Sequence, residues 1–474
     1  MEYDVVVGIE IHLELTTATK MFSGAPYRFK AEANTCVNEV DLGHPGAMPC
    51  LNKEAVRKAI MTCKALNLEL DRLIRFDRKN YYYSDLPKGF QITQQFHPIG
   101  SNGYIEIKVE DEVKKIRINR AHMEEDTAKQ FHLYDETLID YNRAGVPLLE
   151  IVSEPDMHSG LEAALYVEKL RQALNYLGVS DCKMDEGSMR CDVNVSIMPK
   201  GSYVYGTKVE IKNLNSISNV REAIDYEAKR QAEVLANGGK VIQETRRFDE
   251  KSRTTVAMRL KEGSVDYKYF PEPNIFPIYI SDAMLSDVLA KMPELPDVKQ
   301  LRYTSEFKLS DYDASLLLAN KDLCIYFDEA MTSCKNAKML CNLLNSELVG
   351  LLAKQQLSLA DSPVSPAALA ELVNIVDGGS ISSSQAKEVL IEMMAGGDAK
   401  QIIAEKGIAQ VSNADAIMAI VEEVLAENEQ SIQDFKNGKG RALGYLVGQV
   451  IKKSKGKANP KMANELLTAE LAKR

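Results

Sequence analysis

Between Arg120 and Asp156 the chain gathers Glu124, Glu125, Asp126, Glu150, Glu154 and Asp156 beside Arg120, Lys129 and Arg143. Carboxylates this dense repel one another, so a fold either scatters them into solvent or holds them around a cation. Other segments add charge with a period of two residues. GIEIHLEL sets Glu10, His12 and Glu14 against Ile9, Ile11, Leu13 and Leu15. MRCDVNVSI sets Arg190, Asp192, Asn194 and Ser196 against Cys191, Val193, Val195 and Ile197, and TKVEIKNLN sets Lys208, Glu210 and Lys212 against Val209 and Ile211. The outer face of any sheet alternates in this way, so one such strand says little. Together they offer oxygen donors, an imidazole and several cations. Those are the groups that hold Mg2+, with oxygen ligands at roughly 2.0–2.1 Å, and that neutralise the phosphates of ATP. No GxxxxGK[ST] occurs, which excludes a P-loop.

Positioning these side chains takes a sheet. LLEIV places Leu148, Glu150 and Val152 on one face, and SNGYIEIKVEDEVKKIRINRAHMEED reads as a hairpin, with an Asn-Gly turn signal, that ends on Glu124 and Glu125. Neighbours on a regular strand face opposite ways, so a bulge or the strand's end must bring both carboxylates to one site. Helices are expected over 53–68, 158–177 and 220–236. Strands in bursts with helices between them predict an α+β fold, a largely antiparallel sheet covered by helices on its apolar side and open on its polar side. Asp85, Pro87, Lys88 and Gly89 form a tight turn, which makes Lys88 a candidate phosphate or carboxylate contact. ETRRFDE and MRLKEGSVDYKYFPEPN bring Arg246, Arg247, Arg259 and Lys261.

Beyond Pro293 the pattern turns helical, with breaks at SPVSP and GGSISSS and a short hinge expected near 397–411. From 436 to 474 ten Lys/Arg stand against two Glu, a local +8 in a chain of net charge −10. Lys439, Arg441, Lys452, Lys453, Lys455, Lys457 and Lys461 make this end the expected contact for an RNA phosphate backbone. The 474 residues suggest about three domains, read as 1–293, 294–405 and 406–474. No run of about 18 apolar residues is present, and MEYDVVVGIEIH reads as a strand, so neither a membrane span nor a signal peptide is expected. Eight cysteines without a CxxC pair read as reduced thiols of the cytoplasm.

GIEIHLEL, DLPKGFQIT, HMEEDTAK, DYNRAGVPLLEIVSEPD, YLGVSD, EGSMRCDVNVS, TKVEIKNLNS, DYKYFPEP and GYLVGQVIKKSKGKANP together resemble, over essentially the full length, the GatB family of bacterial aminoacyl-tRNA amidotransferase components. The resemblance implies a cradle-shaped catalytic domain related to glutamine synthetase, a helical linker domain and a small tail domain that holds the tRNA. It implies an ATP-dependent reaction on Glu-tRNA(Gln), and on Asp-tRNA(Asn), in which the side-chain carboxylate is phosphorylated and ammonia then displaces phosphate. Carried onto this chain, His12, Glu125 and Glu150 become Mg2+ ligands, and Glu10, Glu124 and Glu210 a second or transient cation position. Lys88, Arg190, Asp192, Lys208, Lys212 and Arg246 become contacts for ATP and the carboxylate. Ammonia is expected from a partner glutaminase (amidase-type) A subunit, with a small C subunit completing a heterotrimer. Family members often carry zinc-type cysteine pairs, but here Asn38 and Asp41 stand in CVNEVDL and Ser23–Gly24 replaces the other pair, so no zinc is expected. Two other readings fit parts of the chain. A ligase acting on free glutamate would need no basic tail, and a tRNA-binding scaffold would need no His12 or Glu125.

Overall fold

The computed structural model describes residues 2–260, 266–408, 414–436, 441–454, 458 and 460–473, apart from the side chains of 259, 260, 414–416, 436, 460 and 461. The chain divides into two compact units, Met1–Pro296 and Asp297–Arg474.

In the first unit, strict alternation produces long strands with one buried face. In chain order the strands are β1 (Tyr3–Glu14), β2 (Glu69–Leu70), β3 (Leu73–Ile74), β4 (Asp77–Asn80), β5 (Phe90–Thr93), β6 (Gly100–Val109) and β7 (Glu112–Glu125). There follow β8 (Lys129–His132), β9 (Thr137–Asp140), β10 (Pro147–Ser153), β11 (Met189–Pro199), β12 (Val209–Lys212), β13 (Glu244–Asp249) and β14 (Thr254–Leu260). A nine-stranded sheet runs β14-β13-β12-β11-β1-β10-β7-β6-β2. Its pairs are antiparallel except for β12 and β13, which run parallel.

One face of this sheet is apolar. Ile9, Ile11, Leu13, Leu149, Ile151, Cys191, Val193 and Val195 join a single core with Tyr166, Val167, Leu170 and Leu174 of helix α2 (Gly160–Tyr176) and Val220, Ala223 and Ile224 of helix α3 (Ile217–Ala236). Both helices begin on a serine cap. The Ser159 hydroxyl accepts from the Glu162 N–H and the Ser216 hydroxyl from the Asn219 N–H, both at 3.1 Å. Each cap is worth about 1 kcal/mol and fixes where its helix starts. The helix expected over 53–68, α1, runs Lys53–Ala65 behind an Asn52 cap.

The Asn-Gly pair read as a turn signal ahead of the two alternating runs lies inside β6, and the runs join where the chain reverses between Val109 and Glu112. Glycine is needed at 103 because a Cβ there would stand 2.5 Å from the Leu66 carbonyl.

The second unit is helical. Breaks were expected at 362–366 and 378–384, and among the described residues one helix begins at Pro366, at the end of the first, and the next at Ser383, inside the second of these stretches. Of the segment expected as a hinge, 397–411, the described part carries a helix, Ala399–Lys406, capped by Asp398 and stopped by Gly407 at φ +61°, while 409–411 lie outside the described residues. The helices Ala414–Glu427, Glu429–Lys436, Arg441–Lys453 and Pro460–Lys473 share a core that includes Ile417, Val421, Val424, Ile432, Leu446, Val450 and Leu467. No described helix is long and apolar enough to cross a membrane.

Candidate active site

Strand register assembles the site. On the polar face of the sheet, Arg190 of β11 lies opposite His12 of β1, His12 opposite Glu150 of β10, and Glu150 opposite His122 of β7. Two residues along, Glu124 of β7 faces Leu148 of β10. His12 Nε2 lies 3.4 Å from Glu150 Oε2 and 3.8 Å from Glu124 Oε1. His122 Nε2 lies 3.2 Å from Glu150 Oε2 and 3.7 Å from Glu124 Oε2. Two imidazoles therefore bracket two carboxylates.

Burial lowers the His12 pKa, but the hydrogen bond and charge of Glu150 and the charge of Glu124 outweigh it, leaving the ring above its ordinary value. The same opposition, burial against Glu150 and Glu124, pushes His122 up to about 9. Burial alone would raise Glu150, but the His122 charge and the hydrogen bonds from both imidazoles hold it well below the usual carboxylate range. One donor atom each from His12, Glu124 and Glu150 lie within 4.8 Å of one another. An imidazole nitrogen with two carboxylate oxygens is a donor set that fits a divalent cation, which would take the place of the proton on His12.

This trio lines a cleft of about 570 Å³. Arg190 lines it too, donating to Asp126 Oδ2 at 2.8 Å, with Arg143 Nε 3.5 Å from the same oxygen. Lys212 donates to Asp192 at 2.5 Å and lies 3.5 Å from Glu210. Glu10 accepts from Asn194 at 3.0 Å, and burial followed by the charges of Glu150 and Asp192 raises its pKa. Lys79 and Tyr81 line another part of the cleft.

Several expected members are elsewhere. The register of β10 against β7 stays regular from Ala121 to Glu125, so no bulge brings Glu125 round to Glu124. The Glu125 carboxylate instead pairs with Lys88 and accepts from the Ile92 N–H at 3.0 Å. The structure thus leaves Glu125 and Lys88 outside the trio, bound to each other. Glu10, Glu124 and Glu210 are not brought together either. Glu210 accepts from the Thr245 hydroxyl at 2.8 Å and lies 3.5 Å from the Lys212 ammonium. Lys208 is exposed, just ahead of β12.

Arg246 is not a cleft residue. Register sets it opposite Ile211, on the helix side of the sheet, where its guanidinium binds Glu244 and Thr255 and lies 3.5 Å from the buried Glu227 of α3. The two-residue period accounts for this, because Phe248, two residues on along β13, packs in the core and the pairing with β12 stays regular from Thr245 to Arg247.

Where cysteine pairs were absent, Lys20 and Asp41 form a buried ion pair at 3.1 Å. Asp41 also accepts from the Ser23 hydroxyl at 2.7 Å and the Asn38 N–H at 3.1 Å. Gly145 packs so closely that a Cβ there would stand 2.8 Å from Asp41 Oδ1. This polar knot fastens the loop that follows β1.

Of the basic tail residues, Arg441 and Lys452 are exposed, and Lys453 pairs with Glu427 at 2.6 Å and Glu423 at 3.0 Å. Lys439, Lys455 and Lys457 lie outside the described residues, as do the side chain of Lys461, the side chain of Arg259 and Lys261.

His122 is the site residue that sequence reasoning missed. The signal was available, because counting back two residues from Glu124 along the same strand face reaches His122 and then Arg120.

Comparison with known proteins agrees along the whole chain. Residues 5–286 match the GatB/GatE catalytic domain, and residues 325–471 match the GatB domain. The B subunits of aspartyl/glutamyl-tRNA(Asn/Gln) amidotransferase from Bacillus thuringiensis (strain Al Hakam), Staphylococcus carnosus (strain TM300) and Lysinibacillus sphaericus (strain C3-41) are 48%, 49% and 49% identical over 475 residues. In each case the alignment covers 100% of both chains. A polar sheet face of this kind, inside a sequence nearly half identical to these relatives from end to end, places the chain in the GatB family of tRNA-dependent amidotransferases.

Proposed function

We propose that the polar face of the sheet is where the side-chain carboxylate of Glu-tRNA(Gln), or of Asp-tRNA(Asn), is activated by ATP and then amidated. Membership of the GatB family makes the chain part of a glutamine-dependent amidotransferase of protein biosynthesis. The observation that carries the finer reading is the convergence of His12, Glu124 and Glu150 in a cleft beside Arg190.

A carboxylate resists ammonia because its leaving group is poor, and phosphorylation supplies a good one. His12, Glu124 and Glu150 would hold Mg2+, which supplies charge neutralisation for the phosphates when bound. Arg190, fixed by Asp126, and Lys212, fixed by Asp192, bring cationic groups to the same cleft for the phosphates and the substrate carboxylate. Glu10 and Glu210 are in this reading supports for Asn194 and Lys212. The Glu125–Lys88 pair stays a candidate contact at the edge of the site.

In this reading the first unit acts as a glutamine synthetase-like cradle, and residues 406–474 form a separate tail that grips the tRNA backbone through its lysines and arginines. No amidase-type serine-lysine signature is present, so ammonia comes from a glutaminase A subunit, with a small C subunit completing the cytoplasmic complex. The test is ADP release by the reconstituted complex with ATP and Mg2+, comparing Glu-tRNA(Gln), uncharged tRNA and free glutamate. Release driven by Glu-tRNA(Gln), and lost in Glu150→Gln, is expected. Equal release with free glutamate points to a small-molecule ligase. No release with tRNA still bound points to a scaffold.

A further inference from the structure

We propose that His122 is a positioning residue for the cation site, holding Glu124 and Glu150 in the arrangement in which they meet His12. The inference rests on the reading that this trio takes a divalent cation. Three features of the structure carry it.

The first is register. Glu150 lies between His12 on β1 and His122 on β7, each directly opposite it, so the two rings flank one carboxylate from neighbouring strands. The second is the division of oxygens. On Glu124, His122 approaches Oε2 while His12 approaches Oε1. A ring held against Oε2 sets the rotation of that carboxylate and leaves Oε1 turned toward His12.

The third is how the ring is anchored. His122 is 4% exposed, and its Nδ1 is buried with no hydrogen-bond partner among the described residues. A buried polar atom left unsatisfied is unusual and calls for a reason. Among the described residues the polar contacts of the ring are those of Nε2 with the two carboxylates. An apolar side chain of similar bulk could fill the space but could not orient Glu124 and Glu150. Groups that orient metal ligands from behind typically change metal affinity about 10–100-fold when removed.

The experiment measures Mn2+ binding to the reconstituted complex by electron paramagnetic resonance, without nucleotide or tRNA, for wild type, His122→Gln, His122→Leu and His122→Asn. Gln can place a donor near the position of Nε2, Leu fills the volume without a donor, and Asn is too short to reach. Mn2+ affinity is expected to fall at least about tenfold in His122→Leu and His122→Asn. His122→Gln is expected to stay close to wild type. In the ADP-release assay the Mn2+ concentration for half-maximal rate should rise in the same order, with the rate recovering at saturating Mn2+. If His122→Leu does not fold, His122→Asn carries the comparison. Wild-type affinity in His122→Leu or His122→Asn overturns the proposal, and so does a His122→Gln variant that binds as weakly as they do. A wild-type complex that binds no Mn2+ overturns the cation reading and this proposal together, whereas binding unchanged by His122 substitutions overturns this proposal alone.

Discussion

Lys20 and Asp41 are shut away from water in the loop that follows β1, 3.1 Å apart, whereas Arg441 and Lys452 stand in solvent on a tail helix. Lys453, one residue on, is shared between Glu423 and Glu427. The first pair and the imidazole–carboxylate quartet follow one logic. Each charge has been taken wholly or largely out of water, so it is tolerable only while its particular partner is present. In the proposed reading the tail follows another, in which Arg441 and Lys452 are solvated and their worth would lie in the sum over many phosphates. A buried charge is therefore a matter of geometry, and an exposed one a matter of number.

The sharpest break of this contrast is Glu150→Gln. It removes the carboxylate that both imidazoles face, and Glu-tRNA-driven ADP release should fall by roughly three orders of magnitude, the scale of losing a preorganised charge-stabilising group. Of similar size, but on stability, is Lys20→Met. It leaves Asp41 buried without its cation and should cost about 3–5 kcal/mol, read as a drop in thermal midpoint. The double substitution Lys20→Met with Asp41→Leu should recover much of that loss, because no unpaired buried charge remains.

On the tail, Arg441→Ala or Lys452→Ala should weaken tRNA binding a few-fold for all tRNAs alike and lower the salt slope of binding by about 1 each. Lys453→Ala should do less, because that ammonium already has two carboxylate partners. Filter binding across a salt series separates the two cases.

The smallest effect tests an exposed pair in the sheet unit. Asp156 accepts from Arg117 at 2.8 and 2.6 Å, and those hydrogen bonds hold its carboxyl below the ordinary 3.8. A depressed carboxyl contributes stability above its unfolded value and loses it on acidification. Wild type should therefore exceed Asp156→Asn by no more than about 1 kcal/mol at pH 7. That difference should shrink as pH falls through 3.8, where the unfolded carboxyl takes up its proton first, and vanish once the folded carboxyl, held lower, is protonated too. Urea unfolding at both pH values measures it, and a gap that widens in acid contradicts the pairing.

The alternation of β1, β10, β11 and β12 was legible without coordinates. A two-residue period needs only the pleat of the strand, and burial of Ile9, Ile11, Leu13, Val193 and Ile211 follows it. The serine-capped helices were legible to within a turn for the same reason, that caps and periodicity are local. The side that Arg246 takes follows the same period, because Phe248, two residues on along β13, packs in the core. What the period did not give is that the guanidinium there meets Glu244, Thr255 and Glu227.

The sequence by itself determined which residue types share a strand face, where the helices begin, and that the carboxylates between Arg120 and Asp156 needed counter-charges. Those are consequences of the pleat, the helical turn and Coulomb repulsion within neighbouring segments. Only the tertiary structure decided which charges meet. It set His122 against Glu150, turned Glu125 away to Lys88, and placed Lys212 beside Asp192 and Glu210. Most of those pairings join segments tens of residues apart in the chain. They depend on strand order and register, which are fixed when the whole apolar face packs and not by any stretch alone.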